Sequence, residues 1–274
     1  MKIAIWDTPM GEAAAGGLAA PNGEAGRGTG VQVVRLRPEA CAAAVLKQQV
    51  DVALVPTVMA LQGAGGFDVI PDVAISSWKN PFARIVLKTG LRGDDLRLAC
   101  DRRAVQEQFM ARVVLREHYQ LDLDQVLYDA PSPIELLRSE EDAALLTTAD
   151  LDALPDLGRL GGGGLVMDLG QEWFELTKYP MVWGLFVARE DTLDADATAA
   201  LRDRLHTSEE YRPRWVREAQ HPLVEEFFRD DLRLRHDDLT VAGLTELERH
   251  LFYDGVLGDI PDLSFAPLPD EEEE

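Results

Sequence analysis

The side chains able to do chemistry are spread along the chain, and most of the well-known motifs for gathering them are absent. The five histidines, His118, His206, His221, His236 and His250, show no metal-ligand spacing such as HExxH. No GxSxG nucleophile elbow and no phosphate-binding Walker motif occurs. The run Gly161–Gly164 reads as a turn, since no Lys-Ser/Thr follows it. Cys41 and Cys100 lie far apart and read as small buried hydrophobes of a reducing compartment. Acidic pairs such as Asp230-Asp231 and Asp237-Asp238 read as solvated faces. Ser/Thr hydroxyls and helix N-termini remain, and these are natural clamps for carboxylates.

The composition sets limits on partners. The chain of 274 residues carries 49 acidic against 27 basic side chains, a net charge of −22. Only five of the basic residues are lysines: Lys2, Lys47, Lys79, Lys88 and Lys178. An acidic, lysine-poor surface is that of a salt-adapted protein, in which ions screen self-repulsion. A basic partner is the alternative reading. Nucleic acid is excluded by the absence of a basic stripe, and a membrane partner by the absence of an apolar run of spanning length. The first strand, Ile3 to Trp6, runs straight into Asp7 and is too short and too acidic for a signal peptide, so the expected location is the cytoplasm.

The elements that must position any site follow from periodicity. Residues 168–187, DLGQEWFELTKYPMVWGLFV, place Leu169, Trp173 and Leu176 on one helical face. They then pass through Tyr179-Pro180 into the apolar strand Met181 to Val187. Strands are expected at MKIAIW, VQVVRLR, VDVALVP, FDVIPDVAISS, 83–89, 96–101, 126–130 and 143–148. Helices are expected after Pro38, over 103–119, at PSPIELLRS and through 192–254. Alternating strands and helices imply α/β architecture with largely parallel sheets. Crossings near 88–93 and 178–182 would make one lobe of 1–90 plus 182–274 and a second of 91–181. Residues 9–30, rich in Gly and Ala, are expected to be a flexible loop, and 268–274 a solvated acidic tail.

Three segments together resemble the menaquinone-biosynthesis proteins of the futalosine pathway, chorismate dehydratase and its sister cyclase. They are PEACAAAVLKQQVDVALVP (38–56), IPDVAISS (70–77) and DLGQEWFELTKYPMVWGLFVAR (168–189). The resemblance spans about residues 31–266. It implies an α/β, two-lobed fold of the type II periplasmic-binding-protein kind, with a ligand cleft between lobes that closes on a small carboxylate ligand such as chorismate. It also implies a carbon–oxygen lyase that uses no metal or organic cofactor. A binding-protein-like relative that holds a small carboxylate without turnover, and the sister cyclase, are the alternatives.

The resemblance also implies positions. Thr57 stands where the family places a hydroxyl after the VDVALVP strand; it either meets ligand or caps the next turn. Ser77 fits a pocket-facing serine. Nearby Trp78 and Phe82 either stack on a ring or pack into the core. The family's Ser-Arg-Thr-Ser helix start reads Ala104-Val105-Gln106-Glu107 here, which leaves Gln106 as a polar contact and Arg102 or Arg103 as the counter-charge. Thr147 and Thr148 offer hydroxyls after the strand AALL. Lys178 replaces the glycine of the family's Thr-Gly and either meets an anion or points to solvent. Where the family has Ser-Tyr-Leu-Asn the chain reads Asp7-Thr8-Pro9-Met10, so the asparagine position either holds Met10 or has been lost to the loop that follows, and an amide is missing.

Overall fold

The computed structural model describes residues 1–18, 30–88, 95–151 and 164–269. In chain order the elements are β1 (Lys2–Trp6), α1 (Pro9–Ala14), β2 (Gln32–Leu36), α2 (Pro38–Leu46), β3 (Val52–Pro56), α3 (Thr57–Gln62) and β4 (Phe67–Ser77). Next come β5 (Ala83–Leu87), β6 (Asp95–Asp101), α4 (Val105–Glu117), β7 (Asp122–Tyr128), α5 (Pro133–Arg138), β8 (Ala143–Thr147), β9 (Leu165–Asp168) and α6 (Leu169–Thr177). The last are β10 (Met181–Arg189), α7 (Ala195–His206), α8 (Arg212–Glu218), α9 (Pro222–Glu226), β11 (Leu232–Arg233), α10 (Asp238–Tyr253) and β12 (Ser264–Phe265).

The chain divides into two compact units. The first comprises Met1–Ser76, Val182–Glu218 and Arg233–Glu274, the second Ser77–Met181 and Ala219–Leu232. The passage expected near 88–93 therefore falls at 76–77 instead. The reason is long-range pairing: β5 runs antiparallel to β8, from Ala83↔Thr147 to Leu87↔Ala143, and so belongs to the second unit's sheet. An apolar strand does not announce which sheet it joins. The segment 219–232, expected with the first lobe, groups with the second unit.

Among the described residues, the first unit's sheet has the order β11-β4-β10-β3-β1-β2, with β12 on β4. Its centre is parallel, β2 and β3 flanking β1, and β10 enters antiparallel to β3. The second sheet has the order β7-β6-β8-β5-β9; β7, β6 and β8 are parallel, while β5 opposes both β8 and β9. Both sheets are thus mixed: the first keeps a parallel centre, while in the second two parallel pairings stand beside two antiparallel ones. β3 and all but the last residue of β10 are fully buried, which explains their unbroken apolar sequences.

The loop expected over 9–30 begins as a helix. Thr8 Oγ1 accepts from the Gly11 N–H at 3.2 Å, Pro9 occupies the first turn, and α1 follows. Gly11 lets this helix lie against β1, since a Cβ there would sit 2.3 Å from the Trp6 carbonyl oxygen. Composition alone suggested a loop because α1 has few large apolar side chains; close backbone approach substitutes for them. Residues 19–29 of that loop, the passage at 89–94, Gly161–Gly163 of the glycine run and 270–274 of the tail lie outside the described residues. Among the described residues no helix is long and apolar enough to cross a membrane.

Candidate functional site

In the first unit, β1 and β3 are parallel neighbours and so end on the same side of their sheet. Helix α3 starts directly at Thr57, which follows Pro56 without a loop residue. Thr57 is fully buried, and its Oγ1 has no hydrogen-bond partner among the described residues. Trp6, the last residue of β1, is 3% exposed, and its Nε1 is likewise buried without an acceptor among the described residues. The register links the two residues: Gly184 of β10 faces Pro56, and a Cβ on Gly184 would lie 2.6 Å from Trp6 Cη2. The indole therefore lies against Gly184, beside the strand end that carries Thr57. An unpaired buried polar group costs about 1–3 kcal/mol. Two at one sheet end mark a place built for something other than core packing. An indole N–H donates and a hydroxyl does both, a set suited to an oxygen-rich ligand. Met10 is buried in α1.

The second unit gathers several residues singled out in the sequence. Because β6 and β8 are parallel neighbours, Arg103, Gln106, Thr147 and Thr148 all fall beyond or at the same end of that sheet. Their chemistry is mostly engaged locally. Arg103 forms a two-point pair with Asp101, Nε to Oδ1 at 3.0 Å and Nη2 to Oδ2 at 2.5 Å. A counter-charge already paired two residues away offers little net attraction to an incoming anion. Arg102 pairs at the surface with Asp129 at 2.8 Å. Gln106 is buried in the first turn of α4. Thr147 is half-buried at the end of β8. Thr148 Oγ1 accepts from the Asp150 N–H at 3.2 Å, closing a turn.

Ser77, also in this unit, is buried at the end of β4 and donates to the Lys79 carbonyl at 2.5 Å. Phe82 is 7% exposed and packs edge-on against Phe227, and Trp78 meets Phe174 in the same manner. Lys178 takes the left-handed conformation, φ 68°, just past α6, and its Nζ donates to the Glu175 carbonyl at 2.7 Å. It closes the helix end, a job usually given to glycine, and is exposed. The departure from Thr-Gly is thus accommodated as a C-cap.

Asp168, absent from the sequence reading of the site, positions this region. Its Oδ1 accepts from the Asn80 N–H at 2.7 Å and the Gln171 N–H at 3.0 Å, which both caps α6 and ties it to the 79–80 turn. Burial pushes its carboxyl above the ordinary aspartate value, opposed by those amides and by Arg84. Both cysteines are free and buried, and burial pushes each thiol up to about 12, so neither is a nucleophile at neutral pH. The packing of α4 on α6 brings His118, Glu172 and Glu175 together, with one ligand-capable atom of each within 4.8 Å of the others. Sequence spacing does not show that cluster. Glu172 in it already accepts the Tyr119 hydroxyl at 2.7 Å.

The chain is similar in fold to several solved structures. Protein AF1704 of Archaeoglobus fulgidus superposes with a TM-score of 0.69 at 16% identity, over 93% of this chain and 98% of that one. The zinc-bound ligand-binding component of an ABC-type import system from Staphylococcus aureus gives 0.65 at 14%, over 97% and 96%. The periplasmic aliphatic sulphonate binding protein SsuA of Escherichia coli gives 0.60 at 13%, over 100% and 95%. These likenesses establish the periplasmic-binding-protein fold. No curated protein sequence matches the chain. The sequence profile for menaquinone biosynthesis matches residues 4–252, nearly the whole length, so this chain belongs to the menaquinone-biosynthesis family.

Proposed function

We propose that the protein is a chorismate-dehydratase-like carbon–oxygen lyase that converts chorismate to 3-enolpyruvylbenzoate. The reaction removes a ring hydrogen and a ring hydroxyl as water and leaves an aromatic ring. The driving force of aromatisation lies in the substrate, so the protein must chiefly hold the anion, orient it and exclude bulk water. The observation that carries the reading is the unpaired Trp6 Nε1 and Thr57 Oγ1 at the shared end of β1 and β3. In this reading they hold a carboxylate or ring oxygen of the substrate. Family membership supplies the pathway.

A second reading, a relative that binds a small carboxylate without turnover, is favoured by the sequence Asp7-Thr8-Pro9-Met10, which carries no side-chain amide. The two separate in one assay. Purified protein incubated with chorismate in molar NaCl is expected to yield 3-enolpyruvylbenzoate by chromatography. No product, together with thermal stabilisation by chorismate or another carboxylate, would establish the non-catalytic reading instead.

A further inference from the structure

The second unit contains a cavity of about 250 Å³ that none of Ser77, Arg103, Gln106, Thr147 or Thr148 lines. Its charged lining residues behave in two ways. Lys79 and Glu226 close on each other at 2.6 Å, and Asp168 is held by the two backbone amides described above. Arg84 and Asp231 are different. Arg84 donates its Nε–H to the Pro81 carbonyl at 2.9 Å, and its two terminal nitrogens meet no acceptor and no carboxylate at ion-pairing distance among the described residues. Asp231 is 7% exposed, yet its carboxylate takes no hydrogen bond and no ion pair among the described residues.

Both groups line the same cavity, whose apolar wall includes Val166 and Leu223. Asp231 is buried and Arg84 half-buried, and a charge withdrawn from water without a direct partner is costly to a fold. Two of opposite sign that face one cavity without touching each other leave room for a molecule bearing both complementary charges. We propose that this cavity binds a small aliphatic amino acid, its carboxylate on the fork of the Arg84 guanidinium and its ammonium on the Asp231 carboxylate.

The electrostatics agree with that geometry. Burial pushes the Asp231 carboxyl up to about 6; Glu226, Asp168 and Asp230 add to the rise and Lys79 opposes it. Burial likewise holds Arg84 below the ordinary arginine value, opposed by Asp168. Asp168 and Lys79 thus act on Arg84 and Asp231 only from beyond ion-pairing distance, and a zwitterion supplies a direct partner to both without changing the net charge. The guanidinium fork matches a carboxylate in two-point geometry. The volume suits a ligand of a few heavy atoms beyond its charged groups.

This cavity shares no lining residue with the Trp6–Thr57 end of the first unit, so the failure of either proposal leaves the other intact. Calorimetric titration of the full chain near neutral pH with glycine, β-alanine and 4-aminobutyrate, and with acetate and methylammonium as single-charge controls, tests it. One of the three amino acids is expected to bind 1:1 at about millimolar affinity or tighter, with each control at least about tenfold weaker. Arg84→Gln and Asp231→Asn are each expected to weaken that binding about tenfold or more. Absence of binding by all three amino acids, equal binding of acetate or methylammonium, or unchanged affinity in either variant would overturn the proposal. Should a variant not fold, the wild-type comparison of zwitterion with single charges still decides.

Discussion

Trp173→Ala is expected to lower the stability of the second unit by about 3–5 kcal/mol, the range for deleting a large buried aromatic side chain. Trp173 is fully buried and sits on the face of α6 that also buries Leu169. That helix packs on α4, β5 and β9, so the indole fills the space where helix layer and sheet meet. The loss should appear in urea unfolding followed by far-UV circular dichroism as a lower midpoint with little change of slope. A loss below about 1 kcal/mol would mean that the site collapses around the smaller side chain, contrary to the packing described.

Asp168→Ala is the second large effect. It removes one oxygen that serves two donors, so it strips the N-cap of α6 and leaves the buried Asn80 N–H unpaired. A cap is worth about 0.5–2 kcal/mol and an unsatisfied buried amide about 1–3. Removal of a partly desolvated charge offsets part of the sum, and the expected net loss is about 2–4 kcal/mol. Asp168→Asn keeps an acceptor while removing the charge, and should recover most of that loss in the same urea experiment. Equal destabilisation by Ala and Asn would show that the charge, rather than the two accepted hydrogen bonds, is what matters.

How far the fold could be read from the sequence depended on whether the signal was local. Met181 to Val187 declared a buried strand by composition, and α6 declared its inner face by spacing, because both properties belong to the segment itself. The assignment of β5 to the second sheet depended on pairing with residues 143–147, about sixty positions away, and no local pattern encodes it. Helix α1 was hidden because its stability comes from a Thr8 cap and from contact with the Trp6 backbone rather than from apolar side chains.

The site divides along the same line. Thr57 was legible as a candidate because the resemblance places a hydroxyl after the VDVALVP strand. Trp6 was not, since an aromatic residue at a strand end looks like core until its nitrogen is found without a partner. For Arg103 and Lys178 the sequence left open whether the cation meets a ligand or faces solvent. Their partners, Asp101 two residues away and the Glu175 carbonyl one helical turn back, were present in the sequence but depended on backbone geometry. The Arg84–Asp231 cavity needed the fold throughout, because it joins residues nearly 150 positions apart.

The most direct measurement of the central claim compares wild type with Thr57→Val for both thermal stability and chorismate turnover. The near-isosteric change deletes a buried hydroxyl that has no partner among the described residues. The free variant should therefore be as stable as wild type or more stable by about 1 kcal/mol. If that hydroxyl holds substrate, kcat/KM for chorismate should nevertheless fall about tenfold or more. A variant that keeps full turnover, or one that loses stability and activity together, would contradict the assignment of the shared end of β1 and β3 as the ligand site.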